Sequence, residues 1–259
     1  MPMLIIMVQK NKKMNRHKIG FLFVIILMLS AGLCRAQESI LVQPAQEIIN
    51  GSIIEPYTNH WRVSIIDASG NRKTVRYWTD YAHILELNGK KYLHRVQDLY
   101  DAEYNLQQTW INVVNTESLL PERFYSVGSG GSVFSIEFDG KNVTYGSRKE
   151  KKGFSYKTYR AEQQLYDWNL YGILLVGLPF ETGGIYRIPY WSRQSSTEDI
   201  LTVTIQGKEM VKTLSGREWK TVKMDTDKGL VFWLTKRKPY VIQLTMEMEN
   251  GGTMKWEML

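Results

Sequence analysis

Apolar and polar residues alternate along most of the chain, and short turn signals interrupt the alternation. A period of two residues places successive side chains on opposite faces of a strand. Hairpin turns are predicted at Asn88-Gly89 and Asp139-Gly140, because Asn, Asp and Gly tolerate the positive φ that such turns require. A further turn is predicted at Gln206-Gly207. The pattern predicts a fold dominated by β-structure, with a curved antiparallel sheet that forms a barrel or half-barrel.

Residues 161–176 depart from this alternation. Leu165, Trp168, Tyr171 and Leu175 recur at the spacing that places side chains on one face of a helix. Gly177 and Pro179 follow as helix stop signals. The segment therefore predicts one amphipathic helix, rich in aromatic residues, packed in or against the sheet.

Fifteen apolar or small residues, 19–33, follow a basic run near the start of the chain. This order is typical of a secretory signal peptide, and we expect cleavage after Ala36. Three alternatives stay open: an uncleaved membrane anchor, a lipidated Cys34, and a true start at Met14. Leu33 disfavours lipidation, because lipid attachment needs a small residue before the cysteine. The leader predicts an exported protein, periplasmic or associated with the outer envelope of a bacterium.

Cleavage would divide the chain into a leader of residues 1–36, an extended lead-in of residues 37–57, and a single β-rich domain of residues 58–259. The leader contains six Lys and Arg and no acid, so 27 Lys and Arg remain against 26 Asp and Glu. The net charge of the mature chain is then +1 rather than the +7 of the whole sequence. This balance argues against nucleic acid as a partner. Contact with the membrane is expected only through the cleaved leader.

The residues that commonly carry catalysis are sparse. Cys34 is the only cysteine, so the mature chain excludes disulfides, thiol catalysis and cysteine-bound metals. His60, His83 and His94 lack the close spacing of metal ligands. The run Gly128-Ser129-Gly130-Gly131 lacks the aspartate that precedes the serine of chymotrypsin-like proteases. We predict no catalytic residue, no metal and no cofactor, although dispersed carboxylates leave a glycan hydrolase or lyase open.

Aromatic residues are the unusual excess, with 29 Trp, Tyr and Phe among the 223 residues after Ala36. Aromatic side chains are good strand residues and fill cores. They also line the cavities of small barrels that hold one hydrophobic ligand. The residues we predict to contact such a ligand are Trp168, Tyr171, Tyr190, Trp191 and Trp233.

The order of signals after Leu165 resembles a group of bacterial envelope β-rich domains of unknown function, near the LolA/LolB-like lipoprotein-carrier half-barrels. The match covers about residues 165–259. It is carried by Gly177-Leu178-Pro179, Tyr186-Arg187-Ile188-Pro189-Tyr190, Glu218-Trp219-Lys220-Thr221, Leu230-Val231-Phe232-Trp233-Leu234, Pro239-Tyr240-Val241-Ile242 and Asn250-Gly251-Gly252. The resemblance implies a curved sheet that partly wraps a helix, in the periplasm or on the envelope. It implies no catalytic residue.

Three hypotheses of function follow. The first is a non-enzymatic envelope protein that binds a lipid, another apolar ligand or a partner segment in an aromatic-lined concavity. The second is an envelope structural or assembly protein that meets a partner protein through sheet edges or exposed aromatics. The third is a glycan-active enzyme, which would require two acids on one cleft.

Overall fold

The computed structural model describes residues 38–148, 153–180 and 183–259. The predicted leader, residues 1–36, lies outside them. Sixteen strands of the described residues form one curved sheet, which confirms the predicted β-dominated fold. The strands are β1 (Ser39–Leu41), β2 (Tyr57–Ile66), β3 (Arg72–Leu87), β4 (Lys90–Tyr100), β5 (Leu106–Asn115), β6 (Pro121–Gly128), β7 (Val133–Asp139), β8 (Asn142–Arg148), β9 (Ser155–Arg160), β10 (Tyr166–Asp167), β11 (Gly184–Ser192), β12 (Thr197–Lys212), β13 (Glu218–Thr226), β14 (Leu230–Leu234), β15 (Val241–Glu247) and β16 (Thr253–Met258).

The strand order places the second half of the chain beside the first. Across the sheet the order is β1, β11 to β16, then β2 to β9, and β10 pairs with β11. The link between the halves is the antiparallel pairing of β16 with β2. Neighbours along this path pair antiparallel, except that β1 and β10 lie parallel to β11. The sheet is therefore an antiparallel meander in each half, joined by one pairing between distant segments.

Two predicted hairpins are confirmed. Asn88 and Gly89 connect β3 to β4 with φ of 52° and 72°, and Gly140 lies between β7 and β8 with φ of 56°. The turn predicted at Gln206-Gly207 is wrong, because β12 runs through these residues. The register against β13 shifts between Ile205 and Gly207, and Gly207 has φ of 129°. The glycine therefore marks a bulge, which bends one long strand instead of ending it.

The predicted helix forms over a shorter span than residues 161–176. The α-helix α1 covers Tyr171–Val176 and follows a 3-10 turn at Trp168–Leu170. Residues before it extend as β10, because Tyr166 and Asp167 pair with β11. The Asp167 side chain then accepts a hydrogen bond from the Asn169 amide and caps the turn. This extended pairing and the cap set the start of the helical segment.

The segment before β2 contributes to the core. After β1 it forms 3-10 turns at Pro44–Gln46 and Gly51–Ile53. Val42, Ile49 and Ile54 are buried in the same cluster as the side chains of α1. Burial of a large aliphatic side chain contributes about 1.5–3 kcal/mol, so these residues help hold the helix in place.

Two hydrophobic clusters organise the described residues. The larger surrounds α1 and includes Leu174, Leu175 and Val176, which are fully buried. The smaller joins β6 to β9 with β11 through Phe124, Ile136 and Trp191.

No helix in the described part of the chain has the length and apolar character to cross a bilayer.

Candidate functional site

A cavity of about 360 Å³ lies between α1 with its preceding 3-10 turn and the strands that face them. Its walls come from β2 to β5 on one side and β14 to β16 on the other. Small-molecule sites typically enclose about 300–1,000 Å³, so the cavity has room for one small ligand. Gly172 lets the helix approach closely, because a Cβ there would lie 2.9 Å from Cγ2 of Val241.

Tryptophan dominates the wall of this cavity. The five tryptophans that line it are Trp61, Trp78, Trp110, Trp168 and Trp256. Strand register explains three of them: Trp61 and Trp78 are cross-strand partners, and Trp256 lies on the neighbouring strand β16. The Trp78 ring meets that of Trp110 edge-on, with centroids 5.4 Å apart. Aliphatic and thioether side chains of β14 to β16 complete the wall, including Leu230, Leu244, Met246 and Met254.

Two of the five residues predicted from the sequence line the cavity. Trp168 and Tyr171 lie at its helical side, with ring centroids 4.2 Å apart. Tyr190 lies behind them, where its ring contacts both at 5.0 and 5.5 Å. Its hydroxyl donates to Asp199 at 2.7 Å. Tyr190 therefore supports the two lining rings without lining the cavity itself.

The structure places the other two predicted residues away from the cavity. Trp191 is fully buried in the smaller cluster, where its ring lies 5.1 Å from those of Tyr145 and Tyr159. Trp233 lies on the opposite face of the sheet, because it alternates with the inward side chains of β14. Its Nε1 donates to Glu209 at 2.9 Å. Neither residue lines this cavity.

A buried ion pair lies at one end of the cavity. The Asp80 carboxylate accepts from Nε and Nη2 of Arg95 at 2.9 and 2.6 Å, and from the Tyr57 hydroxyl at 3.1 Å. Burial by itself lowers the pKa of Arg95, but the neighbouring Asp80 outweighs it and the pKa is raised. Burial raises the pKa of Tyr57 well above its ordinary value. The three groups form the end wall of the cavity, in which the negative charge of Asp80 balances the positive charge of Arg95.

Asn169 extends this end wall into a network. Its side-chain NH₂ group donates to Gln97 at 2.6 Å and to Asn112 at 2.7 Å. Its backbone carbonyl accepts from Arg95 at 2.7 Å. Asn112 in turn donates to Asp167 at 2.6 Å. These bonds tie the start of the helical segment to β4 and β5. They position the turn that carries Trp168.

Arg193 completes the network from the end of β11. Its Nη2 donates to Asp167 at 3.1 Å, and its guanidinium carbon lies 3.3 Å from the centre of the Phe124 ring. This network was not predicted from the sequence, although a signal was present. In strands whose side chains alternate between two faces, a polar residue sometimes occupies an inward position. Asp80 does so in β3, between Trp78 and Ala82.

Three residues that line the cavity each carry a buried N–H group with no hydrogen-bond partner among the described residues. These groups are the Nε1 groups of Trp78 and Trp256 and the Nε group of Arg193. An unpaired buried donor costs about 1–3 kcal/mol, so such groups call for an acceptor. Tyr171 also lines this cavity. Burial is the main cause that raises the pKa of its hydroxyl, and the nearby Tyr190 raises it further, so the hydroxyl is neutral.

The described residues show no group of three or more His, Cys, Asp or Glu side chains that could hold a metal. His83 and His94 are cross-strand partners with rings 4.8 Å apart. Asp80 and Asp167 are buried acids at or near the cavity, and each is hydrogen-bonded to an arginine. These carboxylates hold the network together.

The fold and the cavity define the class of protein. Within residues 38–148, 153–180 and 183–259 it is a β-rich domain with an open, curved sheet around one short α-helix and a tryptophan-lined cavity. The chain belongs to a family described as protein of unknown function (DUF3108), whose model matches residues 94–258.

One solved structure is similar in fold, and its title describes a β-barrel-like protein of the domain of unknown function DUF1849 from Brucella abortus. The similarity covers 79% of this chain and 96% of that chain, with 9% sequence identity and a TM-score of 0.46. No curated protein matches the sequence.

Proposed function

We propose that this protein is a non-enzymatic binding domain that holds one apolar ligand in the tryptophan-lined cavity. The observation that carries the proposal is the cavity of about 360 Å³ with five tryptophans in its wall. A concave site of this size, lined by rings and aliphatic side chains, matches the usual composition of a ligand site.

The same proposal includes export to the periplasm or outer envelope of a bacterium. The basic run and the apolar stretch of residues 19–33 support it, because they have the order of a signal peptide. The expected resemblance of residues 165–259 to envelope domains near the LolA/LolB-like carriers is the reason to propose an acyl chain as the occupant. In this proposal the helical segment closes one side of the cavity, with Trp168 and Tyr171 against the ligand.

The test is to express the full-length chain in a bacterial host, purify it from the envelope fraction, and measure its native mass before and after lipid extraction. We expect one apolar molecule for each chain, and a protein mass that corresponds to cleavage after Ala36. Trp168→Ala should lose the bound molecule, because it removes one wall of the cavity. Trp233→Ala is the matched control and should retain it, since Trp233 lies on the opposite face.

A protein mass without any ligand, together with no binding of the apolar fluorophore N-phenyl-1-naphthylamine, would overturn the binding proposal. An uncleaved leader in the envelope fraction would overturn only the cleavage site.

A second candidate function is assembly with an envelope partner. The observation that favours it is an exposed apolar group at the end of the β3–β4 hairpin, where Ile84, Leu85 and Leu87 are 41%, 43% and 64% exposed. Exposed apolar patches often mark contact sites. Crosslinking in the native host tests it: a captured partner should be lost in Leu85→Ser/Leu87→Ser and retained in Trp168→Ala.

A further inference from the structure

Some polar groups of the residues that line the cavity have hydrogen-bond partners, and others have none among the described residues. The buried N–H groups of Trp78, Trp256 and Arg193 lack acceptors among the described residues. The polar groups of the end wall are better matched: both Asp80 oxygens accept from Arg95, and the Gln97 carbonyl accepts from Asn169. Indole and guanidinium N–H groups can only donate. The cavity therefore has unused hydrogen-bond donors.

The formal charge of the residues that line the cavity is positive. Three arginines and one aspartate line the cavity: Arg76, Arg95, Arg193 and Asp80. Arg95 pairs with Asp80, and Arg193 pairs with Asp167 just outside the lining. Arg76 is exposed, and none of the described carboxylates forms an ion pair with it. Arg76 therefore gives the cavity one positive charge that has no ion-pair partner among the described residues.

Two of the three residues with unused donors, Trp78 and Trp256, share one wall with Arg76. Arg76 in β3 and Trp256 in β16 are both register partners of Val63 in β2, so they flank the same residue on adjacent strands. Trp78 follows Arg76 by two residues in β3 and therefore lies on the same face of the strand. Arg76, Trp78 and Trp256 therefore lie on neighbouring strands at one wall of the cavity.

We infer that the ligand is an amphiphile with an anionic oxygen head group, a carboxylate or a phosphate, which binds at Arg76, Trp78 and Trp256. This inference rests on the proposed function and adds the chemical class of the ligand. The apolar tail lies among the tryptophan rings and the methionines of β15 and β16. A cationic head group would face donors and the positive charge of Arg76, and a neutral hydroxyl would gain no charge attraction from Arg76.

The experiment is competition against bound N-phenyl-1-naphthylamine with four amphiphiles that share a dodecyl-length tail: dodecanoate, dodecyl phosphate, dodecanol and dodecylammonium. The protein is the one purified after expression of the full-length chain. We expect the two anions to compete at about tenfold lower concentration than dodecanol, which corresponds to about 1.4 kcal/mol. Dodecylammonium should compete least. The order of the two anions distinguishes a carboxylate from a phosphate ligand.

Variants assign the preference to the wall. Arg76→Gln and the double variant Trp78→Phe/Trp256→Phe should each reduce the advantage of dodecanoate over dodecanol severalfold. The ratio of the two affinities is compared, because the smaller rings also weaken binding of the tail that both amphiphiles share. The phenylalanine rings keep an apolar wall and remove the N–H donors, so the ratio reports head-group recognition and not folding. Arg187→Gln is the matched control, because Arg187 is exposed on β11 and does not line the cavity.

Each contrary outcome has a separate meaning. Equal competition by dodecanoate and dodecanol would overturn the head-group inference and leave the apolar site intact. An anion preference that survives all three substitutions would overturn the assignment to this wall. Failure of the fluorophore and of all four amphiphiles to bind would overturn the proposed function itself.

Discussion

Asp80 and Arg95 show at the residue scale how polar side chains are accommodated beside an apolar cavity. Their side chains are 7% and 6% exposed, and Nη2 of Arg95 lies 2.6 Å from Oδ2 of Asp80. Transfer of a charge out of water is costly, and the pair is tolerated because the charges meet and the remaining donors and acceptors find partners. Tyr57 and the Asn169 carbonyl supply those partners. The pair therefore depends on both of its members.

Arg95→Leu should reduce the free energy of unfolding by about 3–5 kcal/mol, because it leaves the Asp80 carboxylate buried without a counterion. Urea titration followed by circular dichroism measures the change. Arg123→Leu is the control, since the Arg123–Glu137 pair is 46% and 52% exposed and should contribute only about 0–1 kcal/mol. If the two substitutions destabilise equally, the buried pair lacks the structural role assigned to it.

At the scale of the element, the short helix α1 depends on a residue without a side chain. Gly172 lies where the helix meets β14 and β15, and a Cβ there would lie 2.9 Å from Val241 and 4.0 Å from Phe232. Glycine is a poor helix former, so it lowers intrinsic helix stability by about 1 kcal/mol relative to alanine. The close approach of helix and sheet gives the reason for its presence. The same approach forms one boundary of the cavity.

Gly172→Ala should destabilise the protein by about 1–3 kcal/mol, although alanine favours helices, because the added methyl group overpacks the contact with Val241. Thermal unfolding measures the change, and binding of N-phenyl-1-naphthylamine should weaken with it as the helix moves. Gly130→Ala is the matched control, since no atom lies within 4 Å of a Cβ built there. A stabilised Gly172→Ala protein would contradict the close-packing argument.

At the scale of the whole domain, side-chain packing joins strands that are far apart in the sheet order. Trp191 belongs to β11, near one end of that order, and its ring contacts Tyr145 of β8 and Tyr159 of β9 at the other end. Phe124 and Ile136 complete the cluster around it. The sheet therefore curves back on itself through a hydrophobic contact between its two ends.

Trp191→Ala should reduce the free energy of unfolding by about 3–5 kcal/mol, the usual cost of removing a fully buried tryptophan. Hydrogen exchange should accelerate most in β7 to β9, because these strands lose their contact with β11. Trp233→Ala should cost much less, since that ring is partly exposed on the other face of the sheet. Uniform acceleration of exchange across all strands would contradict a local role for Trp191 in closing the sheet.

Local chemistry made much of the fold predictable. The Asn88-Gly89 turn, the alternation of β2 to β8 and the presence of one helix all depend on side-chain spacing within a few residues. Gln206-Gly207 was misassigned as a turn, because a glycine with positive φ can end a strand or form a bulge, and only the register with β13 distinguishes the two. The start of α1 was misplaced for a similar reason: β10 pairs with a strand that comes later in the chain.

The candidate site was predictable only in part. Trp168 and Tyr171 were predicted as ligand contacts because they lie within one helical pattern, and the structure places both in the lining of the cavity. Trp61, Trp78 and Trp256 were not predicted as lining residues. Trp61 and Trp78 meet through the register of β2 and β3, and Trp256 joins them only through the pairing of β16 with β2. The polar network was missed because Asp80 and Arg95 are ordinary charged residues until the register of β3 and β4 brings them together.

The sequence by itself determined the β-dominated class, the hairpins, the single aromatic helix and the near-neutral charge of residues 37–259, because each depends on composition or on neighbours along the chain. Tertiary structure decided which tryptophans share a cavity, which of them only fill a core, and which polar groups are left without partners. Those outcomes depend on pairings between distant strands, and a shift of one residue in such a pairing would turn every side chain of a strand to the other face.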